Sequence, residues 1–149
     1  MDLGIDFDLI ISHLVHLLVA YALAFPIAWD REARDRSAGL RTFPLVAIGS
    51  CAYMLVAGEV LTSPEAQARV MAGFITGIGF IGGGAILKNG GSVRGTATAA
   101  SIWNTGALGT AVALDRIEIA IVLAVTNFLT LRYVPRLKSQ AQSSTSADE

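Results

Sequence analysis

The stretch Gly73-Phe74-Ile75-Thr76-Gly77-Ile78-Gly79-Phe80-Ile81-Gly82-Gly83-Gly84-Ala85-Ile86-Leu87 is apolar enough to enter a bilayer, yet six of its fifteen residues are glycine. In water it would be a poor helix, because each glycine costs about 1 kcal/mol relative to alanine. In lipid the argument reverses. Unpaired backbone groups are so costly there that a single segment must bond internally, as a helix. The glycines then let neighbouring backbones approach. On a helical projection Gly73, Gly77 and Gly84 fall within about 40° of one another, and Gly79, Gly82 and Gly83 form a second patch. Two such faces predict the central helix of a bundle and favour a homo-oligomer. Two shapes stay open: a continuous or mildly kinked helix, or half-helices broken at Gly82-Gly83-Gly84. Gly77-x-Gly79-x-x-Gly82 also fits the dinucleotide-binding pattern, but it lies inside an apolar run with no βαβ context, so no nucleotide site is expected.

Composition places the whole chain in the membrane. Of 149 residues 53% are hydrophobic and only 15% charged, with mean hydropathy +0.57. Soluble domains carry about 25% charged residues. The charges here are short islands between five apolar segments: Leu9 to Ala28, Phe43 to Val60, Val70 to Leu87, Thr96 to Leu114 and Ile117 to Val134. Each approaches the ~20 residues that a span needs. The fold class predicted is all-α, a polytopic helix bundle over residues 9–138. Residues 1–8 form an acidic segment outside the cytoplasm, and a disordered polar tail occupies 139–149. An acidic start is unlike a secretory signal, so the first apolar segment is expected to remain in the mature protein. The lone Cys51 allows no disulfide within one chain and reads as a small packing residue.

Lysine and arginine set the orientation. With the N-terminus outside, nine of the eleven are cytoplasmic, and only Arg69 and Arg116 are external. Five spans then leave the C-terminus inside.

Several polar residues sit at membrane depth. His13 and His16 share a face near the outer end of the first segment; they read as interfacial hydrogen bonders, or as a metal or proton site. The fourth segment carries Thr98, Ser101, Asn104 and Thr105 on one flank and Gly95, Ala99 and Gly106 opposite. The polar flank either bonds to neighbouring helices or lines a cavity. Asn127 poses the same choice. No nucleophile–base pair, carboxylate cluster at depth or phosphate loop marks an enzyme. No cofactor, metal or nucleic-acid partner is expected.

Four blocks together resemble the MgtC/SapB family: Asp30-Arg31-Glu32; Ser37-Ala38-Gly39-Leu40-Arg41-Thr42; Ala72-Gly73-x-x-x-Gly77-Ile78-Gly79-Phe80-Ile81-Gly82-Gly83-Gly84-x-Ile86; and Val93-Arg94-Gly95-x-x-Thr98-Ala99-Ala100-Ser101-Ile102-Trp103. They span about residues 20–135. The resemblance implies a multi-pass protein of the bacterial inner membrane, linked to growth at low magnesium and, in pathogens, to survival inside host cells. It does not imply a magnesium transporter; regulation of another membrane protein or complex is the commoner view. A small transporter or channel for an ion or solute is the alternative. Asp30 stands where Glu is usual, Ala28 where Gly is usual, and Phe43 where His is common. Some members carry a cytoplasmic ACT-type domain after the membrane part; this sequence shows the membrane domain only. Asp30, Arg41 and Arg94, joined by Asn104, form the candidate polar cluster, at the edge of the hydrocarbon on the cytoplasmic side. A carboxylate between two guanidiniums would be satisfied by charge-assisted bonds, with one positive charge left for an anionic ligand, a lipid headgroup or an acidic partner. The arginines equally serve as anchors at lipid phosphates.

Overall fold

The computed structural model describes residues 6–34, 38–89 and 92–145, with side chains described as far as Pro135 except that of Asn89. Residues 1–5, 35–37 (with Arg36 and Ser37), Gly90 and Gly91, the side chains of Arg136 and Lys138 and the last four residues of the chain lie outside them. The chain is an all-α bundle of five helices with one small hairpin: α1 (Phe7–Glu32), α2 (Thr42–Val60), α3 (Pro64–Gly84), β1 (Leu87–Asn89), β2 (Ser92–Arg94), α4 (Thr96–Ala113) and α5 (Ile117–Thr145). By length and composition α1, α2 and residues Ile117–Pro135 of α5 are able to cross a membrane. The glycines of α3 and the polar flank of α4 lower their hydropathy.

Local chemistry explains where the helices begin. The Asp6 carboxylate caps α1 by accepting from the backbone N–H of Asp8 at 2.9 Å and of Leu9 at 3.2 Å. α3 starts well before the expected Val70. Ser63 caps it, accepting from the Ala66 N–H at 3.1 Å, with Pro64 in the first turn and Glu65 at the positive end of the helix dipole. It then runs unbroken through Gly82 to Gly84, so the glycine cluster ends the helix rather than splitting it. Between the third and fourth segments two short antiparallel strands pair Leu87 with Arg94 and Lys88 with Val93. Gly95 follows them at φ +89, where a side chain would strike the Ala85 carbonyl. α5 continues as helix to Thr145, through residues expected to be a disordered tail. Its Gln, Ala, Leu and Lys residues are good helix formers.

The helices alternate in direction. The C-terminal end of α1 meets the start of α4 through Arg31 and Thr98, while His16 reaches Asp115 at the other end. His13 likewise meets Glu59 at the end of α2. One end of the bundle thus gathers Arg31, Arg34, Arg41, Lys88, Arg94 and Arg132. The opposite end holds Asp6, Asp8, Glu59, Glu65, Asp115 and Glu118.

The centre is α4 and not α3, which corrects the sequence reading. Half of α4's eighteen residues are buried, against only Ile78 and Gly82 in α3. Small residues let α4 be approached on several sides. Gly109 lies against the Ala47 carbonyl and Ser50 of α2, and Gly106 against the Ile78 side chain. A Cβ at Gly82 would lie 3.1 Å from the Ala99 carbonyl oxygen. Around it Ala20, Ala24, Ala47, Cys51, Leu108 and Val112 form one apolar cluster, and Ile27, Phe43, Ile78, Ile102 and Leu131 another. The remaining glycines of α3 are different. A Cβ on Gly73, Gly77, Gly79, Gly83 or Gly84 would meet no atom beyond its own helix within 4 Å. Their face is open because glycine permits approach but brings no side chain to fill a gap.

This contrast sets the first expectation. Gly109→Leu will lower the thermal stability of the detergent-solubilised protein by about 1–3 kcal/mol, the usual cost of overpacking. Gly83→Leu will leave it unchanged. Equal losses in the two variants would contradict the placement of α4 at the centre.

Candidate functional site

The C-terminal turn of α1 carries three consecutive charges, and each bonds in a different direction. Asp30 is 3% exposed. Its Oδ2 accepts from Arg34 Nε at 2.9 Å, one helical turn on, and its Oδ1 from Arg132 Nη1 of α5 at 2.8 Å. Arg34 Nη2 also reaches the Arg132 carbonyl at 3.4 Å. Arg31 is buried and donates from Nη2 to the Thr98 hydroxyl of α4. The Glu32 Oε2 accepts the Leu40 backbone N–H at 3.0 Å and lies where a Cβ on Gly39 would fall. Asp-Arg-Glu therefore ties one helix end to α5, to α4 and to the connection into α2. The carboxylate of Asp30 meets two guanidiniums, the arrangement that makes a buried anion tolerable.

Three of the four sequence-picked cluster residues, Arg41, Arg94 and Asn104, lie apart from Asp30. Arg41 precedes α2 and Arg94 ends β2; both are exposed, and among the described residues neither side chain has an ion-pair or hydrogen-bond partner. Arg34 and Arg132 take the place that Arg41 and Arg94 were expected to fill. Arg34 was legible as the i+4 neighbour of an aspartate on a helix. Arg132 was not, since nothing local marks a partner 102 residues away.

Asn104 sits halfway along α4, and its Nδ2 faces the Leu123 carbonyl of α5 at 3.5 Å, a long and weak contact. The rest of the flank is firmly bonded. Ser101 Oγ donates to Asn127 Oδ1 at 2.9 Å, Asn127 Nδ2 returns to the Ser101 carbonyl at 3.4 Å, and Thr105 donates to the same carbonyl at 2.8 Å. The flank joins α4 to α5 and α1 rather than lining a cavity, which settles the choice left open by the sequence.

At the other end His13 Nε2 meets Glu59 Oε1 and His16 Nε2 meets Asp115 Oδ1, both at 3.0 Å. Each histidine thus has its own carboxylate, supplied by a helix end or turn that sequence proximity does not reveal. No group of three or more metal-ligating side chains exists among the described residues.

An α-helical membrane bundle whose core helix is rich in small and hydroxyl residues, clamped by a charged Asp-Arg-Glu turn, is the class that these features define. The MgtC family profile matches residues 17–140, and the chain belongs to that family. It is 36% identical over 117 residues to "Protein MgtC" of Salmonella typhimurium strain LT2, covering 78% of this chain and 50% of that one. It is 41% identical over 90 residues to "Protein MgtC" of Brucella abortus strain 2308, covering 60% and 37%. With an uncharacterized protein of Synechocystis, slr0014, it shares 44% identity over 98 residues, covering 65% and 41%. The chain spans half or less of the length of these curated relatives. No solved structure matches.

The cluster's burial changes what its substitution should do. Asp30→Asn leaves two guanidiniums around a neutral amide, and we expect a loss of about 2–3 kcal/mol in thermal unfolding in detergent. That lies below the ~3–5 kcal/mol of a wholly buried pair, because both arginines reach solvent. Arg41→Gln and Arg94→Gln should unfold as the parent does. An Asp30→Asn protein as stable as the parent would show that the carboxylate holds nothing together.

Proposed function

We propose that this is a non-enzymatic protein of the bacterial inner membrane, N-terminus outside and C-terminus inside, that supports growth at low magnesium by contacting another membrane protein or a second copy of itself. The low-magnesium role follows from the family resemblance, as does the link to survival in hosts. The basic end of the bundle supports the orientation, since lysine and arginine concentrate on the cytoplasmic side.

The observation that carries the contact reading is the open face of α3. Gly73 and Gly77 form a small-x-x-x-small pair on an apolar helix, at which helices in lipid pack closely, and nothing among the described residues occupies it. A groove of about 540 Å³ runs along it beside Tyr53, Phe80 and Ile81 of α2 and α3. Arg41 and Arg94, exposed at the basic end, extend the surface with charge suited to an acidic partner. The transporter reading loses its main support because the polar flank of α4 is bonded inside the bundle.

A side chain at Gly77 meets nothing within the bundle, so of the two packings that the glycine face allows, within the bundle or in a homo-oligomer, only the second is exposed to substitution there. Gly77→Leu should keep the parent's thermal stability and protein level, yet lose cross-linked oligomer or partner and fail to restore low-magnesium growth in a deletion strain. Arg94→Gln, which removes an exposed charge at the basic end without touching the buried Asp30 cluster, should also fail to restore growth. Full complementation by Gly77→Leu would remove α3 as the contact surface.

A further inference from the structure

A second groove lies on the other side of α3, towards the histidine end, and differs in one respect. It has a volume of about 300 Å³ and is lined mainly by apolar side chains, among them Met71 and Ile75 of α3, Trp103 and Ala107 of α4, and Leu114 just after it, with the Thr110 hydroxyl beside them. One charged residue lines it: Arg116, between α4 and α5. Arg116 is exposed and has no ion-pair partner among the described residues. Its neighbour Asp115 is bonded to His16 and not to it.

From Trp103 to Leu114 the groove follows eleven helical steps of α4, about 16 Å at 1.5 Å per residue. One leaflet of hydrocarbon is about 15 Å deep, half of the ~30 Å core. The groove is therefore as long as one acyl chain of one leaflet, with a cation at the depth where that chain carries its headgroup. Arginine suits a phosphate, which accepts two parallel N–H bonds from it. The floor favours a chain over a helix. Ala107 and Ala111 of α4 face Phe74, Ile75 and Ile78 of α3 across it, and its volume of about 300 Å³ is too small to seat a helix ~10 Å across over that length.

We propose that this groove is a binding site for a phospholipid of the surrounding bilayer, one acyl chain lying between α3 and α4 and the phosphate held by Arg116. The bound chain fills the gap that leaves α3 with only Ile78 and Gly82 buried. The site is separate from the open glycine face, and neither reading depends on the other.

Trp103 is a built-in reporter. In a Trp29→Phe background it is the chain's single tryptophan. The full chain in detergent is titrated with a phospholipid brominated on its acyl chains, and separately with brominated diacylglycerol, which lacks the phosphate. Expected are saturable quenching by the phospholipid at about one molecule per chain, weaker quenching by diacylglycerol, and about fivefold weaker phospholipid binding in Arg116→Gln, the effect of losing one basic side chain at an anionic headgroup. Ala107→Phe, which fills the groove, should weaken both ligands. If Arg116→Gln binds as the parent does, or both ligands quench alike, no headgroup is recognised and the proposal is overturned. Absence of saturable quenching, as when a second copy of the chain covers the groove, overturns it too.

Discussion

Asp30 ties α1 to α5 where no hydrophobic force distinguishes protein from lipid. Its two oxygens accept from Arg34 of its own helix and Arg132 of α5. Hydrocarbon tails are as apolar as leucine, so helices in a bilayer associate through close packing and polar bonds. A carboxylate at this depth is tolerable only with its partners in place. The flanking charges use the same constraint, Arg31 on Thr98 and Glu32 on the Leu40 amide. One turn of helix therefore fixes the basic end of the bundle, and the histidine–carboxylate pairs fix the other.

Between those ends α4 holds the bundle by being small. Gly106 and Gly109 admit Ile78 and the α2 backbone, and Ser101 with Asn127 locks α4 to α5. α3 has neither advantage over most of its length. It is capped firmly by Ser63, touches α4 at Gly82 and Ile78, and presents its remaining glycines outward. A helix so loosely attached is well placed to carry contacts to lipid and to other proteins.

Much of this was legible in the sequence. Hydropathy placed the starts of α2, α4 and α5 to within about a residue, since apolar runs in lipid have one structural solution. The Ser63-Pro64-Glu65 start was written plainly but overshadowed by the apolar run behind it. Centrality was misread because a glycine face means permission to approach, and sequence alone does not say whether anything accepts. The Asp-Arg-Glu block stood out as three consecutive charges at the end of an apolar run. Its partners did not, because Arg132 and Thr98 are brought to it only by the alternating path of the chain. The same holds for Glu59 and Asp115 beside the histidines.

The claim that the Asp30–Arg132 pair, rather than burial of either residue alone, joins α1 to α5 is tested most directly by a double-mutant cycle. Unfolding free energies of the parent, Asp30→Asn, Arg132→Gln and the double variant would be measured in one detergent. We predict a coupling energy of about 1–3 kcal/mol, the range of directly bonded residues. Additive losses, with coupling near zero, would contradict the account.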